Sequence, residues 1–177
     1  MGLTVALLRA VNVGAANRMR MDALRGVFVS AGYDDAVTYI QTGNVVFTST
    51  DAEHVVRTTI ERQINTELGL AITAIVRTGA QMADVVASNP FVTDTADSTR
   101  LYVGFLTGEP SRDDIAALEA MDFGDDAFRV VGREIYLRYA VRSSQSKLTG
   151  ALIERKLRQQ ATVRNWAVTM KLAEMTR

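Results

Sequence analysis

The chain has no cysteine, only one histidine and only two prolines among its 177 residues. The lack of cysteine excludes disulfides, thiolate metal sites and a cysteine nucleophile. The single histidine, His54, lies at the start of a polar helix, where a surface position is expected rather than a catalytic cleft. The acidic pairs at 113–114 and 125–126 fall at a predicted helix start and a turn, where carboxylates are common. We therefore predict no metal and no cofactor, and the catalytic residues stay unassigned.

Long apolar segments are also absent, since no run approaches the ~18 residues that a membrane-spanning helix needs. The apolar start of the chain, residues 1–8, carries no basic leader and no small-residue cleavage site. It runs directly into Arg9, so we interpret it as a strand and not as a signal peptide. These features predict a soluble cytoplasmic protein with no membrane partner.

The charges sum to zero, from 20 basic and 20 acidic side chains, but they are spread unevenly. Residues 140–177 carry eight basic and two acidic side chains, whereas residues 79–139 are acidic. The basic segment either docks on the acidic segment of the same molecule or forms an anion-binding face. Because the two segments balance, the first interpretation is favoured.

Periodicity in the first 78 residues predicts the order β-α-β-β-α-β. Apolar residues at three- and four-residue spacing predict a helix over 21–31, ended by Gly32. A second helix is predicted to follow a capping box of Thr50 and Glu53 and to end at Gly69. The strands are predicted at Leu3–Arg9, Val37–Ile40, Val45–Thr48 and Ile72–Arg77.

The second half repeats this order of elements without repeating residues. After a linker at 79–99 with a short helix at 81–88, the predicted elements are strand Leu101–Leu106, a helix capped by Ser111, a hairpin around Gly132, a helix from Ser146, a short strand at 162–164 and a helix Trp166–Met175 capped by Asn165. The expected fold class is α+β, with two ferredoxin-like (βαββαβ) subdomains at 1–78 and 100–177. Each subdomain is predicted to be a mainly antiparallel sheet with helices on one face.

Several motifs resemble a known family along the whole chain. They are R-A-V-N-V-G-x-x-N-R-M-R-M (9–21), T-Y-I-Q-T-G-N-V-V-F (38–47), V-R-T (76–78), S-N-P-F (88–91), L-Y-V-x-F-L (101–106), G-R-E-I-Y-L (132–137), S-K-L-T (146–149) and T-V-R-N-W (162–166). Together they resemble the bacterial family called domain of unknown function 1697. The resemblance implies two ferredoxin-like subdomains and no activity. Unlike the usual family pattern, the loop at 140–145 has no glycine, which argues against a site that needs close backbone approach there.

The segment after the first strand is one candidate anion site. Its candidate ligand-binding residues are Arg9, Asn12, Gly14, Asn17 and Arg18, and it leads into a helix N-terminus, which attracts anions. The glycine permits unusual backbone conformations, but no phosphate-loop motif is present. Alternatively, the two asparagines bond to the loop backbone and the arginines face solvent.

The basic C-terminal segment supplies the remaining candidate ligand-binding residues, Lys147, Arg164 and Asn165. Trp166, the only tryptophan, either stacks on a base or packs in the core, and core packing is commoner.

Three hypotheses of function remain open. The first, which we favour, is a binding module for a small anionic, phosphorylated ligand in a cleft between the two halves. The second is an enzyme acting on a small substrate without cysteine, histidine or metal chemistry. The third is a protein-interaction or assembly module, such as a homodimer formed through sheet edges or faces. Sequence-specific recognition of nucleic acid is disfavoured, because the signature of RNA-recognition modules is missing.

Overall fold

The computed structural model describes residues 2–13, 17–93 and 95–177. The chain divides into two compact units, which are Met1–Asp84 with Leu172–Arg177, and Val85–Lys171. We call these the first unit and the second unit. Within the described residues, no helix has the length and apolar composition needed to cross a membrane.

The first unit is built on a four-stranded antiparallel sheet in the order β2-β3-β1-β4. Its elements are β1 (Gly2–Leu8), α1 (Met21–Ser30), β2 (Val37–Tyr39), β3 (Asn44–Ser49), α2 (Glu53–Leu68) and β4 (Ala74–Thr78), followed by α3 (Gly79–Ala87). This order and pairing are those of the ferredoxin-like fold, as the sequence predicts.

The second unit has the same topology, with the strand order β6-β7-β5-β8. Its elements are β5 (Leu101–Leu106), α4 (Arg112–Glu119), β6 (Ala127–Val131), β7 (Glu134–Arg138), α5 (Gly150–Leu157) and β8 (Ala161–Asn165), followed by α6 (Trp166–Met175). Two 3-10 turns, Ser98–Arg100 and Ser143–Gln145, flank β5 and α5. The α+β class and the two similar halves are confirmed.

Each sheet buries one face under its two helices. In the first unit, α1 and α2 pack on alternate residues of the strands, and three aromatic rings, Phe28, Tyr33 and Phe47, lie 4.5–6.3 Å apart. In the second unit, Leu118, Ile153 and Leu157 cover Leu106 and Ile135 in the same way. Fully burying one such aliphatic or aromatic side chain contributes about 1.5–3 kcal/mol, so these faces contribute substantially to the stability.

The predicted caps of the second unit are confirmed at two helices. Ser111 Oγ accepts a hydrogen bond from the Asp114 backbone N–H at 3.1 Å and donates to Asp114 Oδ2 at 2.7 Å. Asn165 Oδ1 accepts from the Val168 N–H at 2.8 Å at the start of α6. In the first unit, Gly69 ends α2 with a φ of +67°, which glycine adopts without strain.

Two predicted helix starts are wrong. The N-cap of α2 is Ala52, without a side-chain hydrogen bond, so Thr50 and Glu53 form no capping box. The Glu53 carboxylate instead lies 3.8 Å from the guanidinium of Arg77, and attraction to this buried cation competes with capping. In the second unit, α5 begins at Gly150 and is capped by Thr149, since Ser146 Oγ accepts from the Leu148 N–H in a turn before the helix.

The strand register reveals a residue-level repeat that the sequence reading did not find. Strand β4 (A-I-V-R-T) pairs with β1 as β8 (A-T-V-R-N) pairs with β5, so that Arg77 faces Val5 and Arg164 faces Val103. Both arginines are buried. Before each strand, a helix carboxylate accepts the first strand N–H: Glu61 from Ala74 at 2.9 Å, and Glu154 from Ala161 at 2.8 Å. The two units therefore repeat their hydrogen bonds as well as their element order.

Gly43 and Gly26 provide a matched test of this packing. Gly43 has a φ of +77°, and a Cβ there would lie 2.9 Å from Leu8 Cβ, whereas Gly26 in α1 has open space. We expect Gly43→Ala to lower the free energy of unfolding by at least ~2 kcal/mol, through backbone strain and overpacking. Gly26→Ala should raise it by about 0.5–1 kcal/mol, since alanine favours helix. Urea denaturation of both variants measures this, and an equal effect of the two changes would contradict the packing.

Candidate functional site

The predicted asparagines of the first unit hold the loop after β1 together. Asn12, at a φ of +54°, donates through Nδ2 to the carbonyl oxygens of Met19 and Gln41, both at 2.8 Å. Its Oδ1 accepts the Met19 N–H at 2.8 Å, and Asn17 Nδ2 donates to the Ala10 carbonyl at 3.2 Å. The donors of Asn12 are therefore committed to the backbone. Gly14, which was also predicted to bind ligand, lies outside the described residues.

The predicted arginines of this loop differ in exposure. Arg9 is half-buried, and its backbone N–H donates to the Thr73 carbonyl at 2.9 Å. Arg18 is exposed and lines a pocket of about 360 Å³ with Asn12, Met19 and Arg20. We call this the Arg18 pocket. Arg20 is paired with Asp22 at 2.7 Å, and their hydrogen bond raises the pKa of Arg20 and lowers that of Asp22. Arg18 supplies the remaining positive charge.

The predicted binding residues of the second unit also differ in exposure and in their hydrogen bonds. Arg164 is 7% exposed and donates to Thr162 Oγ1 at 2.7 Å and to the Val163 carbonyl at 3.1 Å. Burial lowers its pKa to about 10, so the guanidinium stays charged at neutral pH. Asn165 is occupied as a helix cap, and Lys147 is exposed. Trp166 is 8% exposed, in agreement with core packing.

The basic C-terminal segment contacts the acidic middle segment inside the second unit through an ion pair of Arg158. Arg158 Nε lies 3.3 Å from Asp114 Oδ1. This contact supports the interpretation that some of the segment's charge serves the fold.

A larger cavity of the second unit lies beside residues that the sequence did not single out for binding. It has a volume of about 540 Å³, and we call it the Phe91 cavity. Its lining combines an apolar wall with two arginines and two aspartates: Pro90, Phe91, Thr93, Thr95, Ala96, Asp97, Arg100, Leu101, Asp125, Arg138, Tyr139 and Ala140.

A second cavity of the same unit, of about 450 Å³, is richer in hydrogen-bond donors. We call it the Arg142 cavity. It is lined by two arginines, four hydroxyl side chains, one valine and one aspartate: Asp97, Thr99, Arg100, Tyr102, Val141, Arg142, Ser143 and Ser144. The Phe91 cavity and the Arg142 cavity share Asp97 and Arg100, so they adjoin at these two residues.

Arg100 is held at this junction by its backbone. Its N–H donates to the Asp97 carbonyl at 2.9 Å, and its carbonyl accepts the Tyr139 N–H at 3.0 Å, one pair beyond the β5·β7 ladder. Its Nε lies 3.6 Å from Asp97 Oδ2, and its side chain is 40% exposed. The backbone of Arg100 is therefore held in place, and its side chain is partly open to solvent.

Asp97 is already engaged by its own turn. Its Oδ1 accepts from the Thr99 backbone N–H at 3.0 Å and from the Thr99 hydroxyl at 2.6 Å. These bonds lower the pKa of the Asp97 carboxyl, the hydroxyl bond having the largest effect. The carboxylate is thus ionised at neutral pH and partly compensates the charge of Arg100.

Asp126 fixes the loop that carries Arg142. Its Oδ1 accepts the Ala140 N–H at 2.7 Å and its Oδ2 accepts the Ser146 hydroxyl at 2.6 Å, at the two ends of the loop. Between them, the Gln145 N–H donates to the Arg142 carbonyl at 2.8 Å. These bonds hold this glycine-free loop in one conformation.

Phe91 is positioned by Asn89 in the S-N-P-F motif. Asn89 Oδ1 accepts the Phe91 N–H at 3.0 Å, and the Arg138 guanidinium carbon lies 5.7 Å from the centre of the Phe91 ring. Asn89 is 8% exposed, and its Nδ2 has no hydrogen-bond partner among the described residues. Such a buried, unpaired donor costs about 1–3 kcal/mol, and such costs are more often found at functional sites than elsewhere.

Residues 2–13, 17–93 and 95–177 contain no group of three or more histidine, aspartate or glutamate side chains placed to hold a metal ion. His54 lies exposed in the first turn of α2.

Sequence reasoning did not select Phe91, Arg100 or Arg142 as binding residues. The S-N-P-F motif and the glycine-free loop were visible in the sequence, but only as marks of a family. What was missing is the register of β5 against β7, which places residue 100 opposite residue 139. Separation along the chain hides this proximity.

Comparison with known proteins supports the fold and gives no activity. A family model described as "Protein of unknown function (DUF1697)" matches residues 1–136. The solved structure of the conserved bacterial protein SP0830 from Streptococcus pneumoniae is similar, with a TM-score of 0.78 and 20% identity, over 99% of each chain. At this identity the similarity concerns the fold alone. No curated protein matches the chain.

Tyr139, which lines the Phe91 cavity, gives the free energy of unfolding a measurable pH dependence. It is 5% exposed and donates to the Leu148 carbonyl at 3.1 Å. Burial raises its pKa from 10.0 to about 12. Above pH 10 the unfolded state loses the Tyr139 proton before the folded state does. The stabilisation of the folded state by the neutral Tyr139 side chain is therefore complete below pH 10, and it is lost as the pH rises through about 12.

Tyr139→Phe should remove this pH dependence and lower the free energy of unfolding by ~1 kcal/mol at neutral pH. Urea denaturation as a function of pH measures both, and identical alkaline profiles for the two proteins would contradict the assignment.

Proposed function

Since the chain belongs to the DUF1697 family, whose function is unknown, we propose a function from its own side chains: it binds a small phosphorylated anion in the Arg142 cavity. The observation that carries the proposal is that Arg100 and Arg142 line one cavity together with the hydroxyl groups of Ser143 and Ser144.

The balance of charge in the Arg142 cavity favours an anion. Among the described residues, two guanidinium groups line it against one carboxylate, that of Asp97, and this carboxylate is already hydrogen-bonded by Thr99. Guanidinium groups are permanently charged and bind phosphate in a bidentate manner. Arg142 makes no ion pair within the described part of the chain, so its charge is available to a ligand.

Preorganisation is the second argument for this cavity. Arg100 is anchored by its ladder bond to Tyr139, and the loop of Arg142 is fastened at both ends by Asp126. A ligand therefore meets groups whose backbone is already ordered, which lowers the entropic cost of binding. The hydroxyl groups of Ser143 and Ser144 can rotate to donate to phosphate oxygens.

The Arg18 pocket is a weaker candidate for the same ligand. The amide donors of Asn12 are used by the loop, and Arg20 is neutralised by Asp22, so Arg18 acts alone. A site in a cleft between the halves, combining Arg9, Asn12, Gly14, Asn17 and Arg18 with Lys147, Arg164 and Asn165, stays a prediction.

Charge-neutral variants test the proposal with ribose 5-phosphate as the probe in a phosphate-free buffer. We expect Arg100→Gln and Arg142→Gln each to weaken binding about tenfold or more, because a hydrogen bond to a charged group contributes about 1.5–3 kcal/mol. Isothermal titration calorimetry measures the affinities, and thermal unfolding checks that each variant is folded.

Arg155→Gln is the matched control, since Arg155 is an exposed arginine on α5 outside the lining of both cavities. It should leave the affinity within about twofold, which is less than 0.5 kcal/mol. An equal loss in all three variants would mean nonspecific attraction. Arg18→Gln is measured in the same way as a fourth variant, and a loss confined to it would transfer the site to the first unit. An absence of binding would refute the proposal.

A further inference from the structure

We infer that the anion carries a planar ring, as a nucleoside monophosphate does, with the phosphate in the Arg142 cavity and the ring in the Phe91 cavity. This inference rests on the proposed function, because it assumes that Arg100 and Arg142 hold the phosphate. It adds the chemical class of the group attached to that phosphate.

The two cavities adjoin and differ in chemical character. Asp97 and Arg100 line both, so a ligand whose phosphate is held by Arg100 in the Arg142 cavity would have its other end at the border of the Phe91 cavity. Their volumes of about 450 and 540 Å³ lie in the range of small-molecule sites. A phosphate alone would occupy only a small part of this space.

Among the described residues, the charges that line the Phe91 cavity are balanced, unlike those of the Arg142 cavity. Arg100 and Arg138 are matched by Asp97 and Asp125, so these side chains provide no excess attraction for a second anionic group. Pro90, Phe91 and Leu101 supply an apolar wall. The Phe91 cavity therefore suits an uncharged group that is apolar on its faces and polar at its edges.

Flat groups in the Phe91 cavity favour a planar ring over an aliphatic chain. The Phe91 ring and the Arg138 guanidinium lie against each other at 5.7 Å, and both are surfaces on which nucleic-acid bases stack. The Phe91 N–H donates to Asn89 Oδ1, so the backbone that carries the ring is ordered before a ligand arrives.

Polar groups at the rim match the edges of a nucleoside. The carboxylates of Asp97 and Asp125 accept hydrogen bonds from ribose hydroxyls or from exocyclic amino groups. Because a carboxylate repels phosphate, Asp125, which lines the Phe91 cavity and not the Arg142 cavity, also favours the direction of the ligand with its phosphate toward Arg142.

The test compares ribose 5-phosphate with the 5′-monophosphates of adenosine, guanosine, cytidine and uridine by calorimetry. We expect at least one nucleotide to bind ~10-fold or more tightly than ribose 5-phosphate, since ring stacking adds to phosphate binding. Equal affinity for all five compounds would overturn the inference and leave the proposed function intact. Failure of all five to bind would refute both.

Two conservative variants connect the difference to the ring. Phe91→Leu keeps an apolar side chain but removes the planar surface, so it should abolish most of the preference for the nucleotide and leave the affinity for ribose 5-phosphate within ~2-fold. Phe123→Leu is the matched control, because Phe123 is half-buried in the same unit against Phe128 and lies outside both cavities.

Thermal unfolding verifies that both variants are folded. A nucleotide preference that survives Phe91→Leu, or one that Phe123→Leu abolishes equally, would overturn the placement of the ring.

Discussion

The pairing of each central strand on both of its edges is the constraint on which this structure depends. Strand β1 pairs antiparallel with β3 and β4, and β5 pairs with β7 and β8. The crossover through α2 returns the chain to β4 at one edge of β1, and the crossover through α5 returns it to β8 at one edge of β5, which fixes the position of these helices against the sheets. In the second unit the ladder continues one pair past the strand, from Tyr139 to Arg100. The candidate site is thus anchored to the most constrained part of the sheet.

The same architecture supports different loops in the two units. In the first unit, the loop after β1 is closed by Asn12, whose amide is spent on backbone groups. In the second unit, Asp126 fastens the loop ends from outside and leaves the Arg142 side chain exposed. When the polar side chains of a loop bond to the loop's own backbone, few of them are left to bind a ligand. When a residue outside the loop fastens its ends, the side chains of the loop stay available. This difference is the reason why we propose the binding site in the second unit.

The fold was predictable from local patterns, because hydrophobic periodicity and turn residues are written in contiguous sequence. Gly69, Ser111 and Asn165 ended or began their helices as predicted. The predicted starts at Thr50 and Ser146 failed, because tertiary contacts of Glu53 and an alternative turn at Leu148 competed with capping. The cavities were not predictable, because they bring together residues 90–102 and 125–144 through strand pairing, which leaves no local signature.

The central claim is that the anion site lies in the second unit, around Arg100 and Arg142. Its most direct test is a titration of the ¹⁵N-labelled protein with inorganic pyrophosphate in phosphate-free buffer, followed by backbone amide chemical shifts. The account predicts saturable shifts confined to residues 97–102 and 140–146, with little change in the loop after β1. Saturable shifts centred on residues 9–20, or small unsaturable shifts over the whole basic surface, would contradict it.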